Sequence, residues 1–502
     1  MDEVLANPLL YIPSYFKVLT KADERGVSQL VPMTLKRTQD HYIKNRSHRD
    51  IILKGRQMYI STGVMAVNSH MVFTTPYMRM SIVTHRYDVS EFLFQTVHRF
   101  YRNLPKEMQP ETDWQAGHRM RFPNLDSFIH IDSAESTSIG YAETLNIAHL
   151  SEVCRWPESR AMELYTGISQ TVPAGGYITV ESNARGRGGL FYRLYDAAKR
   201  GEINYKVFFF PWWWDNEYTC QVKNGLKLTP EEQSLIDYVR GKDNIELTPG
   251  QIQFRREKLA ELGDLFYQEY PENDIDCWLS SEISVFDGAA LRRYLKQIQP
   301  GKTEGHLTIW KDVIGGEKYV IGVDVAGGGE KGDYSVGAVL RVKTNEYVAR
   351  LRAKMPPDFF AQELLRLGHR YNIAQIAVER IMHGHTVLHV LLENNYPNIY
   401  QHIDYDEYMQ QPTSDYGWIT SGKTRMPMID TLGAALRSND IGIWSENFLL
   451  EASGYLWDGQ KTKKSPGGYD DELDAVMIAL QVREQAPLFE PRRQKPVSYI
   501  KL

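Results

Sequence analysis

Short apolar runs that close on a polar or acidic side chain set the tightest limit on how this chain folds. Ile51-Ile52-Leu53, Met80-Ser81-Ile82-Val83, Leu145 to Leu150 and Tyr177 to Val180 are such runs in the first half. Tyr319-Val320-Ile321-Gly322-Val323 and Ile376-Ala377-Val378 repeat the pattern in the second. Runs this short read as buried strands. Between them, stretches such as Val89 to Tyr101 place apolar residues at helical spacing. Thr34-Leu35-Lys36-Arg37-Thr38-Gln39 leads into another, and Thr229-Pro230-Glu231-Glu232 reads as a helix start within a charged helical region from Leu228 to Tyr270. Strands alternating with helices predict βαβ units, a mostly parallel sheet and an α/β fold.

At 502 residues the chain is too long for one core and implies two to four domains. A polar, Gly- and Lys-containing break from Glu282 to Gly316 precedes the second strand system. The expected division is therefore 1–282, a linker region at 283–316, a second unit at 317–487, and a frayed basic tail at 488–502 containing Arg492-Arg493-Gln494-Lys495. A hydrophobic fraction of 42% with 24% charged residues excludes disorder or coiled coil as a description of the whole. The 58 basic against 63 acidic residues exclude a protein that coats nucleic acid by bulk charge, but leave room for a local basic groove. Cys154, Cys220 and Cys277 lack metal-ligand spacing and suit a reducing compartment. The apolar run Val207 to Trp214 is interrupted by Pro211 and falls short of the ~20 residues that span a membrane. No charged-then-apolar signal segment opens the sequence, so a soluble, intracellular protein is expected.

Chemistry enters directly after the first strand. Lys54-Gly55-Arg56-Gln57-Met58-Tyr59-Ile60-Ser61-Thr62 is a polar loop running into a helix, where backbone N–H groups and a helix N-terminus bind phosphate. Ser61 and Thr62 suit Mg²⁺, while Tyr59 and Ile60 stand where a phosphate loop usually has Gly and Lys. A plain polar turn is the alternative for this loop taken alone. Further on, Ile147-Ala148-His149-Leu150-Ser151-Glu152 ends a strand in a carboxylate of the kind that activates water. Thr179-Val180-Glu181-Ser182-Asn183-Ala184 ends another in small polar residues placed to sense a γ-phosphate.

The second half repeats the theme with acids alone. Asp324 closes the strand Val320 to Val323, and Glu379 closes Ile376 to Val378. Strand interiors disfavour acids, and burying one costs free energy unless it is paired or binds a cation. Gly467-Gly468-Tyr469-Asp470-Asp471-Glu472-Leu473-Asp474 then opens an apolar helix. Asp324, Glu379, Asp470 and Asp471 are thus candidate ligands for Mg²⁺ or Mn²⁺, two ions of which cut a phosphodiester. Asp474 reads better as a helix-start residue, since acids are favoured in the first turn. Asp333, in Gly332-Asp333-Tyr334-Ser335, is a secondary candidate or a turn residue. Lys461, Lys463 and Lys464 lie just before the acidic pair and are candidate DNA-backbone contacts, with a solvated loop as the equal alternative. Trp212-Trp213-Trp214, in one run with Phe208, Phe209 and Phe210, reads as buried packing rather than a base-stacking platform.

Taken together, Lys54-Gly55-Arg56-Gln57 with Ser61-Thr62, His149-Leu150-Ser151-Glu152-Val153, Phe210-Pro211-Trp212 with Asp215 and Tyr218, Gln268-Glu269-Tyr270-Pro271 and the later acids resemble the large terminase subunit of tailed bacteriophages. The resemblance implies an ASCE-type P-loop ATPase followed by an RNase H-like nuclease. It further implies Gln39 as an adenine-sensing residue, Glu152 as the catalytic carboxylate, and Ser182 and Asn183 in a segment coupling hydrolysis to motion. Lys54 would be the phosphate-binding lysine, moved to the start of the loop. Gly55, Arg56 and Gln57 would share the nucleotide site. The family often carries an arginine where this chain reads Ile139-Gly140-Tyr141-Ala142; Arg56, Arg155 or a neighbouring subunit would supply it. The implied activity is ATP-driven movement of double-stranded DNA into a procapsid and cutting of the concatemer. Implied with it are a portal protein and small terminase subunit as partners, a homo-oligomeric ring, and a host-cytoplasmic location, transiently at the portal and not in the mature virion. Two other readings share the residues: an RNase H-like recombination nuclease, and a packaging subunit whose ATPase has decayed.

Overall fold

The structure, a computed structural model, describes residues 2–21, 26–115, 119–136, 144–222, 225–279, 284–329, 332–406, 411–458, 461–464 and 468–485. The expected tail at 488–502, Gly467 and the segment Ile139 to Ala142 lie outside the described residues. The chain divides into two compact units, residues 1–282 and 283–502.

An eight-stranded sheet organises the first unit. From one edge its strands are Lys206–Phe210, Arg49–Lys54, Tyr177–Ser182, Ile147–Ser151, Arg79–Thr84, Ser127–Ser133, Arg119–Phe122 and Asp113–Gln115. The first six pair in parallel, and the last two extend the sheet antiparallel. Ile51, Ile52 and Leu53 are fully buried because helices cover both faces of the parallel part. Side chains alternate between those faces: Ile52, Ile82 and Ile147 join one apolar cluster, while Ile51, Leu53, Leu150, Ile178 and Val180 join the other. The strand ending at Ser151 is separated from the strand ending at Lys54 by Tyr177–Ser182, which is the ASCE-type arrangement.

Helix Ile60–Thr74 follows the polar loop and is buried along most of its length, with Val64, Met65, Ala66 and Val67 in the core. Helix Tyr87–Arg102 is amphipathic, burying Leu93, Phe94, Val97, Phe100 and Tyr101 at 3–4 residue spacing. The charged region resolves into Pro230–Asp243, Pro249–Leu262 and Leu265–Glu269. Thr229 caps the first of these through a reciprocal Thr229–Glu232 box, and Thr248 with Gln251 caps the second. Trp212 and Trp213 are fully buried and Trp214 partly so, in line with the packing reading of that run.

The second unit has a six-stranded sheet in the order Lys302–Glu304, Leu307–Ile309, Glu346–Ala353, Ser335–Arg341, Tyr319–Asp324 and Gln375–Val378. Only the last pairing is parallel, so the expectation of a mostly parallel sheet fails here. Short connections such as the turn around Asn345, which takes φ 51°, return Leu307–Ile309, Ser335–Arg341 and Glu346–Ala353 beside the strand before each of them and leave no room there for a crossover helix. Three antiparallel strands with a fourth parallel to the first, roofed by helices, form the RNase H-like core. Helix Asp471–Val482 lies across Tyr319–Asp324 at close quarters. At Gly322 a Cβ would stand 2.1 Å from the Ala475 carbonyl oxygen, so glycine is what lets helix and strand backbones approach this far.

Residues 283–316 are not the linker that their polarity suggested. They contribute helix Gly288–Leu295, the edge strand Lys302–Glu304 and the short strand Leu307–Ile309 beside it. Phe286, Leu291 and Tyr294 are buried in the core of the second unit. Edge strands tolerate polar side chains because their outer face meets water, which is why the segment looked unstructured. No helix among the described residues is long and apolar enough to cross a membrane.

Candidate functional site

Ligands of open α/β sheets gather beyond the carboxyl ends of the parallel strands. In the first unit that edge holds Lys54, Ser151 with Glu152, and Glu181 with Ser182. Alternation along each strand sends Lys54, His149, Ser151 and Glu181 to the face covered by helix Ile60–Thr74. The Lys54 side chain is only 7% exposed, and its Nζ stands 3.0 Å from Glu181 Oε2 and 3.2 Å from Glu152 Oε1. Burial alone would favour the neutral amine, but the charges of Glu181 and Glu152 outweigh it and hold the ammonium.

Glu181 is fully buried, yet its Oε1 accepts from Ser61 Oγ at 2.7 Å and Ser151 Oγ at 2.5 Å and lies 3.3 Å from His149 Nε2. Burial pushes its carboxyl up; Lys54 and the hydrogen bonds to His149 and Ser151 more than reverse this, so it is held below the usual carboxylate range. Glu152 follows its strand in a left-handed conformation, φ 52°, and its Oε2 lies 3.6 Å from Arg155 Nε.

The loop is held from three sides. Gly55 N–H donates to the Phe210 carbonyl at 3.2 Å and Arg56 N–H to the Glu269 carbonyl at 2.8 Å. Tyr218 donates its hydroxyl to the Arg56 carbonyl. Gln39 donates Nε2 to the Tyr59 carbonyl at 2.8 Å and accepts from Lys36 N–H at 3.0 Å, so its amide ties the loop to the capped start of helix Arg37–Asn45. Gln57 and Tyr59 adopt φ 56° and 59°, where glycine is usual. The Tyr59 hydroxyl donates to Glu217 Oε2 at 3.0 Å, and the Lys21 and Lys36 ammonium groups lie 4.9 and 5.4 Å from its ring centre. These contacts supply the support that lets a side chain occupy the glycine position.

The structure therefore brings Lys54, Ser61 and Glu152 together, with Glu181 between them. Thr62 is half-buried in the same first turn and Gln57 is exposed. Arg56 instead pairs with Glu269 Oε2 at 3.0 Å, and Asn183 Nδ2 reaches the same oxygen at 3.5 Å. Ser182 Oγ accepts from Cys154 N–H at 3.2 Å, tying the two strand ends together.

In the second unit, parallel register pairs Val323 with Val378, so Asp324 and Glu379 emerge side by side. The Glu379 N–H donates to the Val323 carbonyl at 2.9 Å. Helix Asp471–Val482 adds Asp471 and Asp474, three apart and so on one face. Burial pushes the Asp324 carboxyl well above the usual range, and the charges of Asp474, Glu379 and Asp471 push it further. Asp471 is raised to about 6 by burial, against the Tyr334 N–H that donates to its Oδ2 at 3.0 Å. Asp474 is raised to about 7 by burial, although Arg425 Nη1 donates to its Oδ2 at 2.7 Å; its Oδ1 is buried with no hydrogen-bond partner.

Asp474 lies in the first turn of its helix, as expected of a helix-start residue, and its carboxyl also reaches the acidic group and pairs with Arg425, because the helix lays its first turn across the strand ends. Asp470 is the helix cap, and its Oδ1 lies 3.1 Å from Lys464 Nζ, which is also 3.1 Å from Asp333 Oδ2. Lys461 is exposed on the same hairpin, and the Lys463 side chain lies outside the described residues. Among the described residues no three His, Cys, Asp or Glu side chains already stand in a metal-ligand arrangement. The donor set is all carboxylate oxygen, the chemistry of hard divalent cations.

Two residues that the structure places in these clusters, Glu181 and Asp474, were not singled out as candidates by sequence reasoning. Glu181 carried a readable signal: an acid one residue past the apolar run Tyr177 to Val180, in the same position as Asp324 behind its own run.

No protein-family model matches the sequence, and no curated protein matches it. Solved structures do. The large terminase of bacteriophage HK97 aligns with a TM-score of 0.44 and 10% identity, covering 95% of this chain and 99% of that one. The ATPase domain of the Thermus phage P74-26 large terminase aligns with a TM-score of 0.35 and 19% identity over 47% of this chain and 93% of its own. The large terminase nuclease from thermophilic phage G20c, with bound magnesium, aligns with a TM-score of 0.33 and 16% identity over 40% and 98%. The structures to which this chain is similar are thus large terminases, one whole and two as separate ATPase and nuclease domains.

Proposed function

We propose that the chain is a DNA-packaging enzyme of the large-terminase type, in which the first unit hydrolyses ATP to move double-stranded DNA and the second cuts it. The observation that carries the reading is the presence on one chain of two acid-lined strand-end sites of different kinds. One combines a phosphate-type loop with a lysine and a glutamate, and the other is carboxylate alone.

In the first site, N–H groups at the start of helix Ile60–Thr74 and the Lys54 ammonium bind the phosphates. Lys54 Nζ lies 3.2 Å from Glu152 Oε1. A phosphate that draws Lys54 to itself frees Glu152 to accept a proton from, and orient, the attacking water. Nucleotide arrival thereby creates the base. Arg155, beside Glu152 and 41% exposed, is placed to meet charge developing on the transferred phosphoryl group.

In the second site, Asp324, Glu379, Asp471 and Asp474 would hold Mg²⁺ or Mn²⁺. Such ions, when bound, stabilise the attacking and leaving oxygens of a phosphodiester displacement. Arg425 holds Asp474 in place, and Lys464 and Lys461 supply positive charge where a DNA backbone passes. Portal and small-subunit partners, a homo-oligomeric ring on the procapsid and a host-cytoplasmic location complete the proposal.

The test is ATP turnover by the full chain with and without double-stranded DNA, beside plasmid cutting with Mg²⁺ or with chelator. DNA-stimulated turnover and metal-dependent cutting are expected. Cutting without any turnover would replace this reading with that of a nuclease alone.

A further inference from the structure

Phosphate-loop ATPases hold the nucleotide's Mg²⁺ with a loop Ser or Thr and a strand-end carboxylate immediately before the catalytic acid. Here the residue immediately before Glu152 is Ser151, which offers no charge. The carboxylate at that place comes from the neighbouring strand. Ser151 and Glu181 are direct register partners, and Glu181 Oε1 accepts from both Ser151 Oγ at 2.5 Å and the loop hydroxyl Ser61 Oγ at 2.7 Å.

We infer that Glu181, acting with Ser61, is the acidic anchor of the nucleotide-bound divalent cation, displaced by one strand from its usual position. The inference rests on the ATPase reading of this site.

Charge balance supports it. Lys54 faces both Glu152 and Glu181, and Glu152 has a second cation beside it in Arg155, at 3.6 Å, so Lys54 is the ammonium on which the buried Glu181 depends. A fully buried carboxylate is costly unless compensated, and Glu152 alone would suffice as a counter-ion for Lys54. Once Lys54 turns to phosphate, Glu181 loses its cation while its oxygens and the Ser61 and Ser151 hydroxyls stay gathered. That is a hard-oxygen set suited to a divalent cation or its bound water. Had Glu181 only a counter-ion role toward Lys54, neither serine would need to be drawn to it.

The experiment measures binding of a fluorescent, non-hydrolysable ATP analogue to the full chain with and without Mg²⁺. In the unaltered protein Mg²⁺ should tighten binding about tenfold or more. Glu181→Gln should lose that gain, read as the ratio of affinities with and without Mg²⁺ in the same variant, and Ser151→Asp added to it should restore the gain by returning the acid to the usual strand. Glu181→Asp, which keeps the charge facing Lys54 but withdraws the carboxylate, covers the case in which the amide variant does not fold; it too should lose most of the Mg²⁺ gain. Retention of the full gain in either variant, or failure of Ser151→Asp to restore it in a folded protein, overturns the inference. Absence of any nucleotide binding by the unaltered protein would instead overturn the ATPase reading itself.

Discussion

In the first unit the ammonium of Lys54 lies 3.0 and 3.2 Å from two carboxylates, whereas in the second, of Asp324, Glu379, Asp471 and Asp474, it is Asp474 that pairs with a guanidinium, that of Arg425. Both groups sit at the carboxyl ends of strands, and both bury acids. They differ in where the compensating charge comes from. The first carries its cation as a side chain, which holds the Glu181 carboxyl below the usual carboxylate range. In the second, burial pushes the Asp471 and Asp474 carboxyls up to about 6 and about 7. Under the proposed function, a nucleotide-exchanging site would benefit from a resident cation that changes partners, and a DNA-cutting site from acids left for an external cation.

The sharpest way to break this contrast is to remove one acid from each site. Asp324→Ala should lower metal-dependent DNA cleavage by about 10³-fold or more while leaving ATP turnover within a factor of about two. Plasmid cutting and phosphate release measured on the same preparation check it. Glu152→Gln should do the converse, lowering turnover by about 10²–10⁴-fold with nucleotide binding and cutting retained. If either change silences both activities, the two sites are not chemically independent.

Removing the resident cation tests the first half directly. Lys54→Met leaves Glu181 buried without its partner and should destabilise the first unit by about 3–5 kcal/mol. Adding Glu181→Gln should recover much of that loss, a result visible in denaturant midpoints of the two variants.

The smallest effect expected is on pH dependence in chelator-treated protein. Asp471 and Asp474 hold protons to about 6 and about 7 when folded, against about 3.9 for an ordinary aspartate. The folded state therefore binds more protons, so stability is greatest below pH 4 for these two groups and is lost as pH rises through 6 and 7. Each such proton contributes a slope of about 1.4 kcal/mol per pH unit between the two values. Melting temperatures at pH 5 to 8 in EDTA should fall, and Mn²⁺ should flatten the trend. A flat profile in EDTA would mean that the second site is compensated after all.

How much of this was legible depended on how local each signal is. Asp324 and Glu379 stood out because an acid at the end of an apolar strand has few other reasons to be there. Glu181 had the same signature but was read with Ser182 and Asn183 as part of a small polar strand end. Its partners, Ser61 and Lys54, lie more than a hundred residues away and become neighbours only through strand order. Asp474 was hidden for the opposite reason: an acid in a first helical turn has a sufficient local explanation, and only the tilt of that helix across the sheet adds another. The segment 283–316 misled because short strands carry little apolar pattern.

The bare α-carbon of Gly322 acts as a spacer of zero thickness between strand and helix. Because a methyl there would meet the Ala475 carbonyl at 2.1 Å and the Ala479 nitrogen at 2.5 Å, the helix would have to lift by more than an ångström to admit it. The same helix carries Asp471 and Asp474, while Asp324 stays on the strand two residues from the glycine. Oxygen-to-metal distances tolerate only a few tenths of an ångström. The gauge that sets the opening of the acidic cleft is therefore a missing side chain, and the grip on a metal ion is adjustable from a position that bears no charge and touches no ligand.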